Sequence, residues 1–139
     1  MNIALIAHDN KKALMQNLCV AYQGILEKHV LYSTGTTGRL IEDVTTLKLH
    51  KTLAGILGGE QQVAALITEN QLDLLLYLRD PSIPMHPVNE NMDLLMLCDM
   101  HNIPVATNLA SAEAMIQALR RGDLDWRNLY HLSNYSEFP

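Results

Sequence analysis

The chain has 139 residues, of which 48% are hydrophobic and 18% charged, and this composition predicts one globular domain with a core of its own. The net charge of −5 argues against nucleic acid or an anionic membrane surface as a partner, since both would repel an acidic protein. We find no apolar run of membrane-spanning length and no basic leader segment, and we therefore expect a cytoplasmic protein.

Short apolar segments alternate along the chain with segments of helical periodicity. In chain order we predict strand 2–7, helix 11–29, strand 29–33, helix 38–46, strand 48–53, helix 60–70, strand 72–78, helix 91–102, strand 103–107 and helix 111–121. This alternation of helices with wholly apolar strands predicts a three-layer, doubly wound α/β fold. Its five-stranded sheet is expected to be mostly parallel, with helices on both faces.

We assign residues 1–121 to this α/β domain and residues 122–139 to an irregular C-terminal tail. Trp126 and Leu129 are the apolar residues expected to hold the first part of the tail. Cys19 and Cys98 lie far apart and belong to no metal-binding pattern, so we expect both to be reduced thiols. The six histidines show no metal-ligand spacing, and no metal site is predicted.

Polar residues follow each predicted strand, at the sheet edge where ligands bind in folds of this class. His8, Asp9 and Lys12 come after the first strand, and Lys12 could reach an anion near the start of the next helix. A solvated surface lysine is the more usual interpretation of such a residue. Asp80 follows the strand at 72–78 and precedes Pro81, a position typical of a carboxylate that binds loop N–H groups.

Residues 33–39, with the sequence STGTTGR, lie between a predicted strand and a predicted helix. A phosphate could be bound here by backbone N–H groups turned inward at glycines with positive φ, by threonine hydroxyls and by a helix N-terminus. A tight turn with threonine caps explains the same pattern, so the residues alone leave both interpretations open.

Residues 55–62, with the sequence GILGGEQQ, place Glu60 at the start of a predicted helix. There it is either an acidic residue favoured by the helix dipole or a catalytic carboxylate at the edge of the sheet. His86 lies in a proline-rich loop that we expect to overhang the same edge.

Taken together and in order, five stretches resemble the methylglyoxal synthase family: IALIAHDNKK (3–12), YSTGTTGRLI (32–41), GGEQQVAALI (58–67), LDLLLYLRDP (72–81) and LLMLCDMHNIPVATNLASAE (94–113). The resemblance runs from about residue 2 to residue 120. It implies a methylglyoxal synthase-like fold and a lyase that converts dihydroxyacetone phosphate to methylglyoxal and inorganic phosphate through an enediolate. It also implies a homohexamer that needs no metal or organic cofactor.

The resemblance further implies which residues form the site. Glu60 would be the catalytic carboxylate, with His8 and His86 beside the substrate. The residues implied to hold the phosphate are Lys12, Thr34, Gly35, Thr36, Thr37, Gly55 and the position of Ala54.

The chain departs from the family pattern in this site. The family reads Ser-Gly-Pro-x-Gly-Gly-Asp-Gln-Gln where this chain has residues 54–62, so Ala54 lacks a hydroxyl and Glu60 carries one more methylene. A second family carboxylate falls on Asn89 when counted forward from His86, and on Glu90 when counted back from residues 102–107. We favour Glu90. The departures keep two alternatives open: a weakened or inactive relative that binds a phosphorylated metabolite as a regulatory module, or a different phosphorylated substrate.

Overall fold

A sheet of five parallel strands forms the centre of the computed structural model, which describes residues 1–53, 58–89 and 91–132. The strands lie in the order β3-β2-β1-β4-β5, and each adjacent pair is parallel. Their bounds are β1 Asn2–Ala7, β2 Val30–Ser33, β3 Leu49–Lys51, β4 Leu74–Leu78 and β5 Val105–Ala106. The predicted α/β class and the five predicted strands are confirmed, although β2, β3, β4 and β5 are each shorter than predicted.

Seven α-helices are present in the described part of the chain, together with 3-10 turns at Asp9–Lys11 and Asp125–Arg127. The helices are α1 Lys12–Ala21, α2 Gln23–Leu26, α3 Gly35–Val44, α4 Gly59–Thr68, α5 Leu94–Met100, α6 Leu109–Arg121 and α7 Asn128–Leu132. The prediction of one helix over 11–29 is wrong, because the chain leaves helical geometry at Tyr22 (φ −114°, ψ 21°) between α1 and α2. No described helix combines the length and apolar character needed to cross a membrane.

The core forms two layers, one on each face of the sheet. Successive side chains of a strand point to opposite faces, so the central strands contribute to both layers. Leu5 and Leu76 belong to the layer that includes buried residues of α1, α3 and α6. Ile6 and Leu75 belong to the layer that includes buried residues of α4 and α5. The expectation of helices on both faces is confirmed.

The segment after α6 is ordered, and the prediction of an irregular tail is wrong for residues 125–132. Leu124 and Arg127 are the buried residues here, with 8% and 0% of their surface exposed. Trp126 and Leu129, the expected anchors, are 39% and 43% exposed. Residues 133–139 of the predicted tail lie outside the described part of the chain.

Arg127 is held at the base of the sheet by groups far away in sequence. Its Nε donates to Asp73 Oδ1 at 3.2 Å, Nη1 donates to the Asn102 carbonyl at 2.9 Å, and Nη2 donates to the Leu72 carbonyl at 3.1 Å. His131 Nε2 lies 2.7 Å from the same Asp73 oxygen. A buried guanidinium is tolerated only when it is paired in this way, and the pairing fastens the C-terminal segment to the sheet.

Candidate active site

A cavity of about 540 Å³ lies at the carboxyl ends of β1 and β4. The strand order reverses direction here, because β1 is followed in the sheet by β2 on one side and by β4 on the other. Ligands of open α/β sheets bind at such a position. The predicted site residues that line the cavity are His8, Lys12, Thr34, Thr36, Glu60 and His86.

Glu60 lies in the first turn of α4, as the helix-dipole interpretation expects, and it also lines the cavity. Gly58 precedes the helix with φ of 100°, a backbone conformation that favours glycine. Gly59 is required for a different reason: a Cβ at this position would lie 1.9 Å from the Leu53 carbonyl oxygen. The close approach that glycine permits is therefore to Leu53, two residues after β3, and it fixes where the helix that carries Glu60 begins.

His8 follows β1 and has a defined hydrogen-bonding orientation. The backbone N–H of Asp80 donates to His8 Nδ1 at 2.7 Å. Because a backbone N–H can only donate, Nδ1 is an acceptor and the proton of the neutral imidazole lies on Nε2. That nitrogen lies 3.3 Å from the Tyr77 hydroxyl.

Tyr77 is a site residue that the sequence analysis missed. It lies in β4, is 1% exposed, and donates its hydroxyl to Glu60 Oε2 at 2.9 Å. Burial, followed by the negative charge of Glu60, raises the pKa of Tyr77 far above its usual value, so the hydroxyl stays protonated. The available signal was one hydroxyl-bearing residue in an otherwise aliphatic strand, near the strand's carboxyl end.

Lys12 is directed into the site, and the interpretation of a solvated surface lysine is wrong. Its side chain is 15% exposed, and its Nζ donates to the Ala7 carbonyl at 2.8 Å and to Asp9 Oδ1 at 3.0 Å. The hydrogen bond and charge of Lys12 hold the pKa of the Asp9 carboxyl below its usual value. One ammonium group thus lies at the cavity wall, oriented by the end of β1.

The threonine-rich stretch forms a helix N-terminus. Helix α3 begins at Gly35, three residues earlier than predicted, so Thr36 and Thr37 belong to its first turn. The expectation of positive φ at Gly35 and Gly38 is wrong, since the described glycines with positive φ are Gly58 and Gly122. In general, the first-turn N–H groups that lack a partner within the helix can donate to an anion.

The residues of this helix start do not all reach the cavity. Thr34 and Thr36 line it, whereas the Thr37 side chain is buried, with its Oγ1 3.5 Å from the Thr34 hydroxyl. The Gly35 N–H donates to the Leu53 carbonyl at 3.3 Å, so it already has a partner within the protein.

The loop after β4 covers one side of the cavity. Exposed His86 lines the cavity together with its loop neighbours Ile83, Pro84, Met85, Pro87 and Val88. The start of the loop is held by Asp80, whose carboxylate accepts from the Ser82 N–H and hydroxyl at 2.9 and 2.7 Å and from Asn10 Nδ2 at 2.8 Å. These hydrogen bonds, those of Ser82 first, lower the pKa of Asp80. The structural role predicted for Asp80 is confirmed.

Three of the predicted site residues, Ala54, Gly55 and Glu90, lie outside the described part of the chain. Asn89, the other candidate for the second carboxylate position, is exposed and forms a bridge with Met92. Over residues 1–53, 58–89 and 91–132, no group of three or more His, Cys, Asp or Glu side chains could hold a metal ion.

The site therefore combines a carboxylate, a neutral imidazole with its proton on Nε2, an ammonium group and a helix N-terminus around one cavity. A carboxylate beside a half-enclosed cavity can remove a proton from carbon, and the other groups can stabilise negative charge on oxygen. This set suits proton abstraction from a small anionic carbonyl compound.

Comparison with known proteins finds similarity to methylglyoxal synthases in both sequence and structure. A family model described as an MGS-like domain matches residues 16–107. A methylglyoxal synthase from Caldicellulosiruptor saccharolyticus is 56% identical over 129 residues, which covers 93% of this chain and 92% of that protein. One from Thermoanaerobacterium thermosaccharolyticum is 50% identical over 128 residues, covering 92% and 96%. The crystal structure of methylglyoxal synthase from Elizabethkingia anophelis NUHP1 superposes with a TM-score of 0.73 at 34% identity, covering 83% of this chain and 76% of that one.

Proposed function

The chain belongs to the methylglyoxal synthase family, and on that basis we propose that it converts dihydroxyacetone phosphate to methylglyoxal and inorganic phosphate. The observation that carries the proposal is that Glu60, His8 and Lys12 line one cavity at the carboxyl edge of the sheet. The chain matches these relatives over nearly their full length, so the similarity extends to the whole enzyme and not only to part of its fold.

In the first step the Glu60 carboxylate removes a proton from the hydroxymethyl carbon next to the ketone. The electron pair moves onto the ketone oxygen and leaves an enediolate. The imidazole of His86 stabilises the charge that develops on the substrate oxygens, and His8, whose Nε2–H faces the Tyr77 hydroxyl, lines the cavity beside them.

In the second step the hydroxyl on the carbon that lost its C–H proton passes its own proton to the enediolate oxygen, and a carbonyl forms at that carbon. The double bond moves to the phosphate-bearing carbon, and phosphate leaves with the electron pair of its C–O bond. Lys12 and the N-terminus of α3, with Thr34 and Thr36, take up the charge of the leaving phosphate. The remaining enol tautomerises to methylglyoxal.

We extend the proposal to a cytoplasmic homohexamer. The described surface carries several large apolar side chains that could pack between copies: Val20, Val44, Met96 and Met100 are 52%, 47%, 51% and 66% exposed. Cys19 and Cys98 are free and buried, as is usual for proteins of a reducing compartment. Light scattering should give a mass six times that of one chain, and a monomeric mass at working concentration would contradict the assembly.

The function is tested by incubating the purified protein with dihydroxyacetone phosphate and quantifying methylglyoxal and inorganic phosphate. We expect equal amounts of both products. Glu60→Gln keeps the size of the side chain and removes the base, so the rate should fall by about 10²- to 10⁴-fold. Glu113→Gln, an exposed site on α6, is the matched control and should leave the rate unchanged.

Two outcomes would contradict the proposal. Equal rates for the parent protein and Glu60→Gln would remove Glu60 as the base. No product, with phosphate binding still measurable by calorimetry, would instead support the regulatory module that the departures at Ala54, Asn89 and Glu90 left open.

A further inference from the structure

One hydroxyl group connects the side chain that the proposed reaction makes its base to a histidine that lines the same cavity. The Tyr77 hydroxyl lies 2.9 Å from Glu60 Oε2 and 3.3 Å from His8 Nε2. The three residues come from β4, from the first turn of α4 and from the end of β1. Parts of the fold that are far apart in sequence therefore meet at this oxygen.

The direction of each hydrogen bond follows from the donors available. The Asp80 N–H occupies His8 Nδ1, so Nε2 carries the imidazole proton and donates to the Tyr77 oxygen. A tyrosine hydroxyl has one proton of its own, and this proton is left for the Glu60 carboxylate. Each hydrogen bond thus donates in the same direction, from the Asp80 N–H towards the Glu60 carboxylate. In the opposite direction, Nδ1 of His8 would carry a proton and face the Asp80 N–H, and two donors would meet.

We propose that Tyr77 is a positioning residue for the proton transfer, holding the Glu60 carboxylate and the His8 imidazole in one relative orientation through its hydroxyl. The inference rests on the proposed function, because that function makes Glu60 the base. Tyr77 acts through these two neighbours. Its ring is 1% exposed and packs in the core layer beneath α4 and α5, so the hydroxyl has a fixed place.

The extra methylene of Glu60 explains why a hydrogen bond to its carboxylate would matter. Where the family pattern has aspartate, this chain has one more methylene, which adds a rotatable bond to the side chain that must meet the substrate. A displacement of about 1 Å at a reacting group can cost about 10²-fold in rate. A hydrogen bond from a rigid, buried donor restricts the longer side chain to one orientation. Because burial keeps Tyr77 protonated, the hydroxyl remains a donor over the whole working pH range.

The test is a four-protein cycle of the parent, Tyr77→Phe, Glu60→Asp and the double variant, assayed with dihydroxyacetone phosphate. Phenylalanine keeps the buried ring, so Tyr77→Phe should fold, which melting and calorimetric phosphate binding verify. We expect kcat to fall by about 10- to 100-fold with KM and phosphate binding unchanged. In the Glu60→Asp background the same change should have little effect, since the shorter carboxylate no longer reaches the hydroxyl.

Tyr32→Phe is the matched control, because Tyr32 is a half-buried tyrosine of β2, two strands away from β4 in the sheet, and stacks on His50 away from the cavity. It should leave kcat unchanged. Suppose the parent is active and Tyr77→Phe leaves kcat unchanged, or lowers kcat by the same factor with Glu60 and with Asp at position 60. Either result would overturn the positioning role and leave the proposed function standing. A parent that forms no methylglyoxal would overturn the proposed function, and the positioning role with it.

Discussion

Gly59→Ala tests whether the close contact between Leu53, just after β3, and the start of α4 supports the site. An added Cβ would lie 1.9 Å from the Leu53 carbonyl oxygen, well inside the 3.0 Å below which such atoms do not approach, so the backbone must separate by about 1 Å. The Leu53 carbonyl also accepts from the Gly35 N–H, so the shift disturbs the start of α3, the start of α4, or both. Because Glu60 is the next residue, kcat/KM should fall by about 10²-fold.

The same substitution should also destabilise the fold. Overpacking costs about 1–3 kcal/mol. With an unfolding entropy of about 2.1 cal/mol/K per residue, that cost lowers the Tm of this chain by about 3–10 °C. Calorimetry and the methylglyoxal assay measure the two effects on one preparation.

Gly24→Ala is the control for the glycine-to-alanine change itself. A Cβ at Gly24 meets nothing within 4 Å, so this variant should keep its activity and its melting temperature, or gain about 0.4–1 kcal/mol of stability. If Gly59→Ala matched Gly24→Ala in both kcat/KM and Tm, the argument that Leu53 and Gly59 fix the position of Glu60 would be refuted.

Three further predictions concern other parts of the molecule. Lys12→Met should raise the Kd for inorganic phosphate about 10- to 150-fold by calorimetry, because hydrogen bonds to charged groups contribute about 1.5–3 kcal/mol, and an unchanged Kd would remove Lys12 from the anion site. Arg127→Met should lower Tm by about 10–17 °C, since breaking a buried ion pair costs about 3–5 kcal/mol. Arg121→Met is the control: it breaks the exposed ion pair with Asp123 and should lower the free energy of unfolding by less than about 1 kcal/mol. Equal melting temperatures for Arg127→Met and Arg121→Met would contradict the anchoring role of Arg127. Burial raises the pKa of Cys19 and of Cys98 to about 12, so a thiol reagent at pH 8 should label neither in the native protein and both after denaturation, whereas fast native labelling would contradict their burial.

The alternation of apolar strands and amphipathic helices was enough to predict the sheet, because burial on both faces leaves a pattern in the sequence itself. The position of Glu60, Lys12 and His86 around one cavity followed from the rule that strand ends meet at a common edge. Their proposed roles came from the family resemblance.

The residues that escaped prediction depend on partners distant in sequence. Tyr77 reads as one more apolar residue of a buried strand, and only the approach of Glu60 and His8 makes its hydroxyl a site group. Arg127 escaped for a related reason: arginine is usually exposed, and its burial depends on Asp73, which lies 54 residues away. Gly35 and Gly38 were predicted to lie in a turn, because the sequence does not reveal that α3 begins at Gly35 and not at residue 38.

The order of the strands also has a consequence for biosynthesis. β1 is the middle strand of the sheet, pairing with β2 on one side and with β4 on the other, although β4 begins only at Leu74. At a ribosomal rate of about 5–20 residues per second, the roughly 70 residues in between take about 4–14 s to emerge. For that interval the strand that becomes the middle of the sheet has one edge unpaired, which is the condition under which strands pair with foreign chains. We infer that the nascent chain is most prone to aggregation before β4 is synthesised.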